Sequence, residues 1–115
     1  MRLTIWKMKM NKYTELSDFE VNKKVAEKLG LAYEVTRYGV VTRMSNKEQW
    51  REFDPCNNPS DAMPIINEYG ISLIYQDRKF QFATNDGNIE CCIANPLKAA
   101  MIIFLCMKDA ENEKV

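Results

Sequence analysis

Asp54, Asn57, Asn58 and Asp61 are neighbouring residues whose oxygen-bearing side chains could perform chemistry. Their carboxylate and amide oxygens suit a hard cation such as Mg²⁺, and two carboxylates that converge in a pocket can exchange a proton with a substrate. Asn and Asp also form turns and helix caps by bonding to nearby backbone amides. Because the spacing matches no known metal-binding loop, we expect turns and caps here rather than a metal.

The sequence contains no histidine, which removes the commonest general base and the usual Ser and Cys triads. It also contains no glycine-rich phosphate-binding motif. Its four cysteines form no Cys-x-x-Cys pair, so structural zinc is not expected, and reduced thiols in a cytoplasm fit best. We therefore expect neither an enzyme nor a cofactor.

Trp50 and Arg51, with Lys47 ahead of them, form the best candidate contact patch. Aromatic and guanidinium groups stack on bases and also anchor protein partners. The alternative is that Trp50 packs over a sheet edge. A second patch would arise if alternating residues of the first strands exposed one basic, aromatic face formed by Tyr33, Arg37, Tyr38 and Arg43. The candidate binding residues are Arg37, Arg43, Lys47, Trp50, Arg51, Asn57, Asn58 and Asp61.

Opposite charges cancel over the whole chain, which has 16 basic and 16 acidic residues. Residues 1–52 carry 11 Lys or Arg against 7 Asp or Glu, whereas residues 53–115 carry 5 against 9. The net charge of zero over the whole chain gives no support to strong electrostatic binding of nucleic acid or of an anionic membrane. At 115 residues, one compact domain with one core is expected.

Hydrophobic periodicity, punctuated by Gly, Pro and Asn, predicts both helices and strands. Ser17 and Glu20 have the spacing of a capping box, and Ser60 or Asn58 can cap a second helix with Pro64 in its first turn. The predicted elements are a helix over 18–29, strand over 31–43 with a hairpin turned near 38–39, a long loop over 44–59, a short helix over 61–69, strands over 71–76, 79–84 and 89–93, and a final helix over 96–108.

Asn95 and Pro96 specify the start of the final helix as its cap and first residue. Residues 99–107 are apolar on every side but too few to cross a bilayer, so this helix is expected to be the buried hub of the core. The charged tail over 109–115 is expected to fray. The alternative for the helix is a homodimer seam formed by Met101, Ile103, Phe104 and Met107.

The first ten residues allow two interpretations. Leu3, Ile5, Met8 and Met10 alternate with polar positions and predict an edge strand. Alternatively, translation starts naturally at Met8 or Met10, and the preceding residues are an extension. Both interpretations remain open from the residues alone.

Four ordered segments together resemble the phage NinX-like family. They are Tyr-Thr-Glu-Leu-Ser-Asp-Phe-Glu-Val-Asn at 13–22, Phe-Asp-Pro-Cys-Asn-Asn-Pro-Ser-Asp-Ala-Met-Pro-Ile-Ile at 53–66, Gly-Ile-Ser-Leu at 70–73 and Asn-Pro-Leu-Lys-Ala-Ala-Met at 95–101. The resemblance extends from about residue 10 to residue 110, and residues 1–9 fall outside it. It implies a small accessory protein of tailed phages and prophages, with a nucleic-acid role suggested by modelling alone. It supplies no functional residues.

The expected architecture is α+β, with an antiparallel sheet of three to five strands packed against two main helices, the C-terminal one buried. Residues 1–9 form an N-terminal extension, 10–110 a single domain and 111–115 a charged tail. The expected function is a non-catalytic phage accessory module in the host cytoplasm that binds a macromolecule, with nucleic acid as one candidate partner. The alternative partner is a host or phage protein. Monomer and homodimer both stay open, and no membrane association is expected.

Overall fold

The computed structural model describes residues 10–112, in which four helices and two antiparallel sheets form an α+β fold. The helices are α1 over 10–14, α2 over Asp18–Leu29, α3 over Pro59–Tyr69 and α4 over Pro96–Asn112. The strands are β1 over Ala32–Thr36, β2 over Gly39–Arg43, β3 over Arg51–Glu52, β4 over Ile71–Gln76, β5 over Lys79–Asn85 and β6 over Ile89–Cys91.

Helix α2 has the predicted bounds because both of its ends are capped. The Ser17 hydroxyl accepts the Glu20 backbone N–H at 3.2 Å, as a capping residue does. Gly30 adopts φ 74° at the other end, and its N–H closes the last turn. Val21, Asn22, Val25 and Ala26 form the buried face of the helix.

The first sheet has the strand order β1–β2–β3. Strands β1 and β2 form the predicted hairpin, with Ala32 opposite Arg43 and Thr36 opposite Gly39. The sheet packs against α2, and its ladder continues past β3 because the Phe53 N–H donates to the Val40 carbonyl at 2.9 Å. The predicted loop over 44–59 is therefore shorter than expected, since β3 and the first residue of α3 lie within it.

The second sheet has the strand order β4–β5–β6. Asp77 and Arg78 form its first turn with φ values of 52° and 68°, the conformation that a two-residue hairpin requires. Strand β6 ends at Cys91, two residues before the predicted end. The antiparallel pairing is confirmed, but the six strands divide between two sheets because β3 and β4 are separated by α3 rather than paired.

Helix α3 begins earlier than predicted, because Asn58 rather than Ser60 caps it and Pro59 is its first residue. Pro64 consequently lies in the second turn, not the first. The N–H that Pro64 lacks would have bonded to the Ser60 carbonyl. Both residues are exposed, so water can satisfy that carbonyl.

Helix α4 is the hub of the core, as predicted. It packs against α2, α3 and all three strands of the second sheet. Residues 99–106 are fully buried within this single chain. The monomer core, rather than the alternative of a homodimer seam on this helix, is observed, because Met101, Ile103 and Phe104 contact the monomer core and Met107 packs partly against it.

Both ends of the described region differ from expectation. Met10 lies in α1 rather than in a strand, and residues 1–9 lie outside the described residues. Helix α4 continues to Asn112 instead of fraying from residue 109. Polar contacts rather than apolar ones hold its last turns, because the Tyr13 hydroxyl donates to Asp109 and the Lys28 ammonium lies 3.9 Å from the same carboxylate. Within residues 10–112, no helix combines the length and the apolar character needed to span a bilayer.

Candidate binding surface

A polar network occupies the place where α2, α3 and α4 all begin. Asn22, although buried in α2, donates to the Asp54 carboxylate at 2.7 Å and accepts the Cys56 backbone N–H at 3.1 Å. These two bonds fix the 53–58 turn against the helix. We call this set the motif network, which consists of Asp18, Asn22, Asp54, Cys56, Asn57, Asn58, Asp61, Asn95 and Lys98.

Three predicted site residues, Asn57, Asn58 and Asp61, belong to the motif network. The Asn57 amide donates to Asp18 at 3.0 Å and to the two Asp54 carboxylate oxygens at 3.1 and 3.3 Å. The Asn58 side chain caps α3 by accepting the Ser60 N–H, and Asp61 accepts the Asp54 N–H at 3.0 Å. The predicted turn and cap roles are confirmed.

Asn95 and Lys98 connect α4 to the motif network. The Asn95 amide nitrogen donates to the Cys56 carbonyl at 2.7 Å, while its oxygen caps α4 by accepting the Leu97 and Lys98 N–H groups. The Lys98 ammonium lies 3.0 Å from the Asp18 carboxylate and donates to the Leu16 carbonyl at 2.8 Å. Segments of the sequence that are far apart therefore meet in one hydrogen-bonded unit.

Ionisation within the motif network follows from these contacts. The hydrogen bond from Asn57, followed by that from Lys98, holds the pKa of the Asp18 carboxyl below its ordinary value. Burial, with smaller effects of Asp18 and Asp54, raises the pKa of the Cys56 thiol to about 12. Cys56 is therefore a thiol rather than a nucleophilic thiolate at neutral pH.

A cleft of about 140 Å³ lies between the motif network and the β1–β2 turn. Asp18, Asn22, Asp54 and Asn57 supply its polar wall, and Phe19, Tyr38, Gly39, Val40, Glu52 and Phe53 supply the rest. Asp61 does not line the cleft, since its carboxylate is turned to the Asp54 backbone. Asp54 and Asp61, the pair of carboxylates considered from the sequence, therefore do not converge in this cleft. No group of three or more metal-binding side chains occurs among residues 10–112.

The loop that joins β2 to β3 forms a second distinct feature. The Arg43 guanidinium lies 4.4 Å from the centre of the Trp50 ring and also donates to the Asn46 side chain at 3.3 Å. The Glu48 carboxylate accepts the Met44 N–H at 3.0 Å, which closes the loop. Met44 is 77% exposed and Trp50 is 36% exposed. We call Arg43, Met44, Lys47 and Trp50 the Trp50 surface.

The predicted basic residues do not share one face. Arg51 pairs with Thr42, whereas Arg43 is the next residue along β2, so Arg43 and Arg51 point to opposite sides of the first sheet. Tyr33 also pairs with Thr42 and is therefore opposite to Arg43. Arg37 lies in the β1–β2 turn, 5.8 Å from the centre of the Tyr38 ring, at the far end of β2. The expected basic, aromatic face is therefore wrong.

Sequence reasoning missed the role of Asn22, and one signal could have revealed it. Asn22 lies between Val21 and Val25 on the face of α2 that is otherwise apolar. A polar side chain at such a position requires hydrogen-bond partners inside the fold. Its partners are 32 and 34 residues away in the sequence, so periodicity alone could not identify them.

A known protein family matches the part of the chain that contains the motifs described above. The family model described as Bacteriophage P22, NinX, matches residues 12–108. A search of curated proteins found no match. The matched region contains every residue of the motif network and covers most of the chain. The chain therefore belongs to the bacteriophage P22 NinX family of phage accessory proteins.

Proposed function

We propose that this protein is a non-catalytic binding module that acts in the bacterial cytoplasm and docks a host or phage protein through the Trp50 surface. The observation that carries the proposal is the exposure of Met44, at 77%, on a loop that is closed by its own hydrogen bonds. An exposed apolar side chain held in this way is available for contact. Trp50 lies beside it under the Arg43 guanidinium.

The residue types of the Trp50 surface suit a protein partner. Trp, Arg and Met are enriched in protein interfaces, and Trp and Arg dominate their binding energy. Arg43 is already oriented by Trp50 and Asn46, so less side-chain freedom would be lost when a partner binds. The thioether of Met44 is flexible and polarisable, and it adapts to the shape of an apolar pocket.

Two features of the motif network support a non-catalytic role. Its cysteine has a thiol pKa raised by burial, which disfavours nucleophilic attack. Its carboxylates and amides bond to backbone groups and to one another, as in a structural hydrogen-bond network.

Site-specific photocrosslinking tests the protein partner. A benzophenone amino acid replaces Met44 in one variant and Met63 in a matched control, since Met63 is also an exposed methionine but lies on α3. Both variants are irradiated in bacterial cells during phage growth, and the adducts are identified by mass spectrometry. We expect a discrete protein adduct at position 44 that is absent at position 63 and is lost when Trp50→Ala is added. The same adducts at both positions, or none at position 44, would contradict the proposal.

Nucleic acid is the second candidate, because the Trp50 ring is 36% exposed beside the half-buried Arg43 guanidinium, and aromatic rings of this kind are platforms on which unpaired bases stack. Fluorescence anisotropy of labelled single- and double-stranded DNA and RNA, at low and then physiological salt, tests it. Saturable, salt-sensitive binding would be weakened by Arg43→Ala and much less by Arg51→Ala, since Arg51 points to the other side of the sheet. Absence of binding at low salt would exclude this candidate.

A further inference from the structure

The edge strands of the two sheets are protected to different degrees against pairing with other chains. Strand β1 carries Glu34 at its centre, β3 consists of two charged residues, Arg51 and Glu52, and β6 is three residues long with Glu90 in the middle. Short length and charge are the usual means by which proteins prevent edge strands from pairing with other chains. Strand β4 is also an edge strand, yet its six residues, Ile-Ser-Leu-Ile-Tyr-Gln, include neither a charge nor a proline.

Strand β4 is exposed as well as uncharged. Ile74 is 36% exposed and Tyr75 is 53% exposed. Within residues 10–112, β5 is the only strand that pairs with β4. Alternate residues of β4 therefore direct their N–H and C=O groups away from β5, toward the open edge. These groups form a template for another strand.

We propose that a second copy of this chain occupies this edge, with β4 pairing antiparallel to β4 of the second copy in a two-fold symmetric dimer. The arrangement joins two three-stranded sheets into one continuous six-stranded sheet. Self-pairing of β4 brings no like charges together, whereas self-pairing of β1 through its centre would place two Glu34 carboxylates side by side.

Charge complementarity at the ends of β4 favours this occupant. Two-fold symmetry places each residue opposite one on the same face, so Leu73 can lie opposite Leu73 of the second copy and Ile71 opposite Tyr75. In that register the β4–β5 turn of one copy lies beside the end of α3 of the other. The turn and the start of β5 carry one exposed acid, Asp77, and two exposed bases, Arg78 and Lys79, so this end is positive overall, and the last turn of α3 carries exposed Glu68. Two-fold symmetry repeats this contact at both ends of the paired strands. The net charge of zero leaves no overall repulsion between copies.

Sedimentation velocity from low micromolar to a few hundred micromolar protein tests the dimer. Ile74→Lys places a charge on the exposed edge, and Met44→Lys is the matched control because Met44 is exposed on the first sheet. We expect a concentration-dependent dimer whose Kd rises about tenfold or more in Ile74→Lys and is unchanged in Met44→Lys. Circular dichroism establishes that both variants are folded. A monomer at every concentration, or a dimer insensitive to Ile74→Lys, would overturn the proposal.

Hydrogen exchange locates the interface without a substitution. Amides of residues 71–76 that point away from β5 should exchange more slowly at high than at low protein concentration, while those of β1 should not change. Protection that grows elsewhere and not in β4 would also overturn the proposal. The Trp50 surface is not part of this contact, so Met44→Lys can abolish partner binding while the dimer persists, and Ile74→Lys can do the reverse.

Discussion

Asn22 is a polar side chain that is only 5% exposed, yet both polar atoms of its amide are used. An unpaired buried amide costs about 1–3 kcal/mol, whereas a paired one adds specificity to the fold. Its bonds to Asp54 and to the Cys56 backbone select one conformation of the 53–58 turn. The same turn then positions Asn57 and Asn58. A single residue of α2 therefore controls the conformation of the 53–58 turn, which is the most characteristic part of the sequence.

Asp18 should make stability depend on pH in acid. Its folded-state pKa lies below the ordinary value of 3.8, so its contribution is complete above that value and is lost as the pH falls through the lower folded pKa. In Asp18→Asn, the free energy of unfolding should therefore decrease less between neutral pH and about pH 3 than in the unmodified protein. Urea titrations at both pH values measure this difference. Asp86→Asn, which removes an exposed turn carboxylate, is the control. The prediction would be refuted if the free energy of unfolding decreased equally between the two pH values in Asp18→Asn and in the unmodified protein.

The starts of α2 and α4 could be predicted from local sequence, because a cap acts within a few residues of itself, whereas the sequence left Asn58 and Ser60 as alternative caps of α3. Ser17, Asn58 and Asn95 each bond to an N–H two or three residues ahead. The division into two sheets could not be predicted, since strand signals do not say which strands pair. The docking of the last turns of α4 was also hidden, because Tyr13 and Asp109 are 96 residues apart.

The β4–β5 turn contains a residue that is poorly suited to its conformation. Arg78 adopts φ 68°, which costs a residue with a Cβ about 1 kcal/mol, whereas Asp-Gly is a preferred pair for this turn. We expect Arg78→Gly to raise the free energy of unfolding by about 0.5–1 kcal/mol in chemical denaturation. Lys79→Gly, placed in the strand one residue later, should lower it. If both glycines destabilise the protein equally, the turn geometry does not control stability.

At the scale of the whole molecule, the two sheets are held by different helices. The second sheet packs against α4, whose residues 99–106 are fully buried, whereas the first sheet packs against α2. Apolar burial is the main stabilising contribution in folding, so the parts of the chain attached to α4 should be the last to open. The Trp50 surface belongs to the first sheet, which we expect to open at a lower free energy than the second.

Native-state hydrogen exchange in increasing denaturant should therefore separate the sheets. We expect amides of β1 and β2 to exchange through an opening of lower free energy than those of β5, because β5 packs directly on α4. Measurements at low protein concentration keep any dimer from protecting the second sheet. A single opening free energy for all strands would show instead that the domain unfolds as one cooperative unit.

The motif network also has an electrostatic consequence. Helices α2, α3 and α4 all begin at this point, so the positive ends of three macrodipoles converge on the 53–58 turn. Asp18, Asp54 and Asp61 lie beside these ends and serve as fixed counter-ions for them. The Asp and Asn residues of the family motifs thus balance charge between backbone and side chains where three helix starts approach one another.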